Sequence, residues 1–136
     1  MRSYETDYAG WAEDQAAAIR ERRWSDVDEV ALADEVGDLA RKERRALRNR
    51  LVILLAHLLK QRYQAEKASR SWQATVDEQR LRIREILEES PSLRAQLNDA
   101  ILSAYAIARL RAVRETQLPV ETFPVLIPFS DEDLGL

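Results

Sequence analysis

Residues 51–60 read LVILLAHLLK, and nine of these ten residues are apolar or histidine. On a helix, Leu47, Leu51, Leu54 and Leu58 form one row and Val52, Leu55 and Leu59 form another. A helix that is apolar on most sides is enclosed by several neighbours. The stretch is far short of the roughly 20 apolar residues that span a bilayer. It therefore predicts the central helix of an all-α fold, with His57, the only histidine, at the edge of the leucine row.

Going towards the N-terminus, the same helix changes character. Arg41, Arg44, Arg45 and Arg48 lie within about 100° of one another, in line with Val52, Leu55 and Leu59. From Val27 to Gln64 there is no proline. One helix over that span would be about 57 Å long, against a diameter of about 37 Å for a compact chain of this size. A break is expected near Gly37, the weakest helix former in the stretch.

Five helices follow from the pattern, at about 5–22, 26–37, 40–64, 69–89 and 91–116. Thr6 or Asp7 can cap the first, Ser25 or Asp26 the second, and Ser69 or Ser71 the fourth. Ser90-Pro91 reads as a stop and restart. Trp11, Trp24 and Trp72 read as core residues. After Leu118, LPVETFPVLIPF holds three prolines and seven large apolar residues. It cannot continue as helix, and it reads as an extended strap over 117–129 laid across the bundle. The alternative is a segment that binds a partner. Ser130 can cap a short turn at 130–134. The expected architecture is a single-domain bundle of four to five helices with a Pro-rich strap.

The chain has 136 residues, no cysteine and a net charge of −3. Disulfide and thiolate chemistry are excluded. The polar, acidic start MRSYETDYAG does not read as a signal peptide, and a cytoplasmic protein is expected. The charge is unevenly spread. Residues 1–40 hold 4 basic and 11 acidic side chains, residues 41–114 hold 17 and 8, and residues 115–136 hold none and 5. The acidic ends are expected to pack beside the basic middle and neutralise it; the alternative is a basic surface for an acidic partner.

The blocks YETDYAGWAEDQAAAIR, LAHLLK and SRSWQATVDEQRLRIREILEESPSL, followed by LPVETFP, resemble the bacterial "domain of unknown function 29" family. The resemblance runs from about Tyr4 to Leu134. The family's K-W-x-Y-Q-P segment is matched with Gln61 and Ala65 in place of its Trp and Pro. The resemblance implies an all-helical bacterial protein and implies no established activity.

Few residues invite a chemical reading. Glu43 lies near the leucine row, where a carboxylate needs partners. Gln79 and Arg80 interrupt the apolar stripe of the fourth helix. Glu43, His57, Gln79 and Arg80 are expected to meet in one buried polar network, with Arg80 pairing Glu43 or His57 bonding a main-chain carbonyl. The rival reading is a ligand pocket or active site, with His57 carrying a proton and Glu43 orienting it. No nucleophile is spaced to His57 for triad chemistry. Its neighbours Ile53, Leu54 and Gln61 are not metal ligands, so no metal site and no cofactor are expected. The arginine row suggests a nucleic-acid-binding accessory, although Glu43 interrupts it and no aromatic residues interleave it. The leading expectation is a non-enzymatic protein-interaction module. Apolar surface on both rows of the central helix makes a homodimer a natural arrangement.

Overall fold

The computed structural model describes residues 1–136. It is all-α, without strands: α1 (Tyr8–Arg20), α2 (Glu29–Tyr63), α3 (Arg70–Glu89), α4 (Leu97–Thr116) and α5 (Asp131–Leu134). Short 3-10 turns lie at Trp24–Asp26, Ala65–Lys67, Pro91–Gln96 and Val120–Thr122. The chain forms two compact units, residues 1–42 and 43–136, and the boundary falls inside α2.

The expected break near Gly37 is absent, and α2 runs unbroken for 35 residues. One glycine costs a helix about 1 kcal/mol relative to alanine. A break would cost more, because it leaves several backbone donors and acceptors without partners. The length argument applied to a helix enclosed by one compact body, whereas a unit boundary lies within this one.

Residues 1–42 form a helix, a turn and the first part of α2. Asp7 caps α1 by accepting from the Gly10 amide at 2.9 Å. The second helix is not opened by Ser25 or Asp26, which lie in a 3-10 turn. Asp28 does so instead, accepting from the Ala31 amide at 3.1 Å. Gln15 is buried and ties the turn to α2, donating to the Asp26 carbonyl (3.2 Å) and accepting from the Asp28 amide (2.7 Å). Trp11 is buried beside Tyr4 and Tyr8, and both phenols donate to the Glu35 carboxylate. Trp24, expected in the core, is 60% exposed on its 3-10 turn.

Residues 43–136 contain the main core. Both rows of α2 are buried there: Leu47, Leu51, Leu54 and Leu58, and equally Val52, Leu55 and Leu59. The apolar surface that argued for a homodimer on this helix is thus consumed within the unit. Val76, Ile83 and Leu87 of α3 join the cluster, as do Ile101, Ala104, Tyr105, Ala108 and Ala112 of α4. Ser69 caps α3 by accepting from the Trp72 amide. The helix expected from Pro91 begins as a 3-10 turn and becomes α-helical at Leu97.

The strap lies on its own unit. Phe123 is fully buried, edge-on to Tyr63 with ring centres 5.8 Å apart, and Leu134 of α5 is buried as well. Ser130 and Asp133 complete a reciprocal cap on α5.

Candidate functional site

An irregular strap has no hydrogen-bond ladder of its own, so its carbonyls need donors from elsewhere. Arginine carries five such donors in a fixed fork. Four arginines from the middle of the chain, Arg62, Arg80, Arg84 and Arg109, serve this purpose. Arg109 of α4 donates to the carbonyls of Phe123 (2.9 Å) and Val120 (3.2 Å), and the Tyr105 hydroxyl donates to that of Pro124 (2.5 Å). Arg62 of α2 donates to Pro128 (2.8 Å) and lies over the Phe129 ring. From α3, Arg80 donates to Leu134 (2.9 Å) and Asp133 (2.5 Å), and Arg84 to Gly135 (2.6 Å). The acidic C-terminal end does pack beside the basic middle, but mainly through carbonyls; the Arg62–Asp133 ion pair, at 3.5 Å, is long and partly exposed.

The expected network of Glu43, His57, Gln79 and Arg80 does not form. Arg80 is taken by the strap carbonyls and does not pair with Glu43. Glu43 instead accepts from the Ser90 hydroxyl at 3.5 Å. Gln79 is buried and accepts from Arg50 at 3.2 Å. His57 Nδ1 lies 3.0 Å from the Ile53 carbonyl, so a main-chain bond holds the ring. Burial pushes the His57 pKa down; the Ile53 bond and Glu115 oppose this, and Lys60 and Arg111 add to it. No group of three His, Cys, Asp or Glu side chains is arranged to hold a metal ion.

One cluster escaped the sequence reading. Lys60, only 7% exposed, donates to Glu115 of α4 at 2.9 Å and sits 4.7 Å above the Trp72 ring of α3. Arg111 donates to the other Glu115 oxygen at 2.9 Å. Burial pushes the Glu115 carboxyl up, but the hydrogen bonds and charges of Lys60 and Arg111 outweigh it and hold the group below its ordinary value. The signal was present in the sequence. Lys60 closes LVILLAHLLK, where a cation needs a partner, and Glu115 is the only carboxylate between residues 100 and 120.

A groove of about 420 Å³ is lined by Leu58, Gln61, Arg62, Arg80, Phe129, Glu132 and Asp133. Both of its arginines are committed to the strap. Of the arginine row, Arg41 pairs with Asp38 at 2.6 Å, while Arg44, Arg45 and Arg48 are exposed and without ion pairs.

Apolar side chains also reach the surface. On α4, Leu102 and Leu110 are 60% and 65% exposed, with Ala106 between them on the same face. On the strap, Val125 and Leu126 are 77% and 82% exposed. The bonds from Tyr105 and Arg109 hold the preceding strap residues, Phe123 and Pro124, against α4. No helix is long and apolar enough to cross a membrane.

Residues 3–135 match the model of a family described as "Domain of unknown function DUF29". No curated protein and no solved structure matches the chain.

Proposed function

The chain belongs to the DUF29 family, and from that premise we propose that it is a non-enzymatic protein-interaction module of the bacterial cytoplasm. Its docking surface is the outward face of α4 together with the middle of the strap. The observation that carries this reading is the exposure of large apolar side chains on both elements, Leu102 and Leu110 on α4 and Val125 and Leu126 on the strap. Apolar patches of this kind, rimmed by polar groups, mark interaction sites. The polar side chains expected at a pocket already have partners: His57 with Ile53, Glu43 with Ser90, Arg80 with the strap.

The test is capture with two baits, the full chain and a Leu110→Asp, Leu126→Asp double variant checked for unchanged helicity. The wild type is expected to retain a stoichiometric protein partner that the variant loses. Equal capture by both baits overturns the reading.

A second reading rests on Arg44, Arg45 and Arg48, which are exposed without ion pairs on one face of α2. It makes the protein an accessory that binds nucleic acid through phosphate contacts. Binding to duplex DNA or RNA would then weaken steeply with added salt. Absence of a mobility shift at low salt rejects it.

A further inference from the structure

We propose that the groove between α2, α3 and the end of the strap binds an extended peptide that carries an apolar side chain beside a basic one. The site is separate from the α4–strap surface and does not depend on it. Three observations lead to it.

The first is what this wall already binds. Arg62 of α2 and Arg80 of α3 hold the strap by its main-chain carbonyls, at Pro128, Leu134 and Asp133. The same two arginines line the groove, with Phe129, Glu132 and Asp133 of that bound segment. Each guanidinium carries five N–H groups. Arg80 spends Nε and Nη2 on the strap, and its Nη1 lies a long 3.8 Å from Asp77. Arg62 spends Nη1 on Pro128, and its Nη2 lies 3.5 Å from Asp133. Both side chains therefore line the groove with donors to spare, of the type that binds peptide carbonyls here.

The second is the acceptors. Glu132 lines the groove without a hydrogen bond or an ion pair of its own. Asp133 differs, because its carboxylate accepts from the Ser130 amide at 2.9 Å. Gln61 donates its amide nitrogen to Gln73 at 3.2 Å and keeps its side-chain oxygen. The guanidinium donors and the Gln61 oxygen match the alternating carbonyls and amides of a main chain, and Glu132 matches a basic side chain. A polyanion would meet Glu132 and Asp133, and a bare cation would meet Arg62 and Arg80, so each is opposed by half of the lining.

The third is the apolar part. Leu58 and Phe129 complete the lining, and the Phe129 ring lies 4.7 Å from the Arg62 guanidinium. The volume is about 420 Å³, within the range of about 300–1,000 Å³ for ligand sites.

The experiment titrates the isotopically labelled full chain with acetyl-Lys-Leu-Lys-amide at low salt and follows its amide and guanidinium resonances. Saturable shifts are expected at residues 58–62, at Arg80 and at residues 129–133, with a Kd of about 0.1–1 mM. Acetyl-Glu-Leu-Glu-amide and acetyl-Lys-Gly-Lys-amide should each bind about tenfold more weakly, and spermidine, a cation without carbonyls, should not saturate these resonances. Glu132→Lys, at a side chain that fastens nothing, is expected to reverse the preference between the lysine and glutamate peptides. Unchanged resonances at residues 101–112 verify its fold. Absence of saturable shifts at about 10 mM peptide, equal binding of spermidine, or an unreversed preference in Glu132→Lys overturns the site. The Leu110→Asp, Leu126→Asp variant should bind the peptide as the wild type does. A wild type that binds no peptide, yet loses a protein partner on that double substitution, overturns this inference alone and leaves the interaction reading standing.

Discussion

In residues 43–136, nineteen apolar side chains from α2, α3, α4 and the strap form one contiguous buried cluster. In residues 1–42 the buried apolar side chains are Trp11 and Ala18. The smaller unit is held instead by directed polar contacts: Gln15 across the turn, Tyr4 and Tyr8 on Glu35, and Arg2 on Asp14 at 2.9 Å. Hydrophobic burial tolerates small shifts of geometry, whereas hydrogen bonds of about 1 kcal/mol net each depend on it. The first unit should therefore be the one whose structure is lost first to local opening.

The largest effect that sharpens this contrast is expected at Phe123, fully buried although it belongs to an irregular strap. Phe123→Ala should destabilise the chain by about 3–5 kcal/mol in denaturant unfolding. A loss below about 1 kcal/mol would mean that the strap is an ornament on the cluster and not part of it. Next comes Gln15→Ala, which removes two hydrogen bonds at once and leaves the Asp28 amide without its partner. It should cost about 1–3 kcal/mol. Hydrogen exchange should accelerate at residues 8–20 and stay unchanged at residues 47–59. Equal acceleration in both segments would erase the distinction between the units.

The contrast also shows what a sequence reader can recover. The rows Leu47–Leu58 and Val52–Leu59 were legible because burial on two faces leaves a pattern longer than one turn, and Asp7, Ser69 and Ser130 because caps are local chemistry. The strap was legible from its prolines and apolar residues together. Its fastening was not, because guanidinium groups reach carbonyls more than 50 residues away, and carbonyls carry no sequence signature. That is why Arg80 was matched to Glu43, an acid visible in the sequence, and not to Leu134, whose acceptor is its main chain. The Lys60–Glu115 pair was missed for a related reason: its partners lie 55 residues apart on two helices.

Gly37 tests the physical reason for the unbroken helix. A Cβ built there meets only the flexible end of Arg41, at 3.4 Å, so no close approach requires glycine. Gly37→Ala should stabilise α2 by about 1 kcal/mol, seen as slower exchange of amides around residue 37. A destabilisation would show that the helix is bent or opened at that point in solution and that the glycine is used.

The smallest effect is expected at His57, and it belongs to the larger unit alone. Lys60 and Arg111 discourage a proton on the half-buried ring, as does burial itself, while Glu115 and the Ile53 carbonyl favour one. The net pKa lies below the ordinary 6.5. In that range the unfolded chain takes up a proton that the folded ring resists, so stability rises with pH. The contribution is complete above the unfolded value and is lost as the pH falls through the folded one. His57→Gln keeps a polar side chain near Ile53 but cannot titrate. Between about pH 7 and about pH 5, the wild type should lose stability faster than this variant, with the difference confined to unfolding of residues 43–136. Parallel pH profiles would mean that the ring exchanges its proton as freely in the fold as outside it, and that the α2 interior around it is wetter than its packing implies.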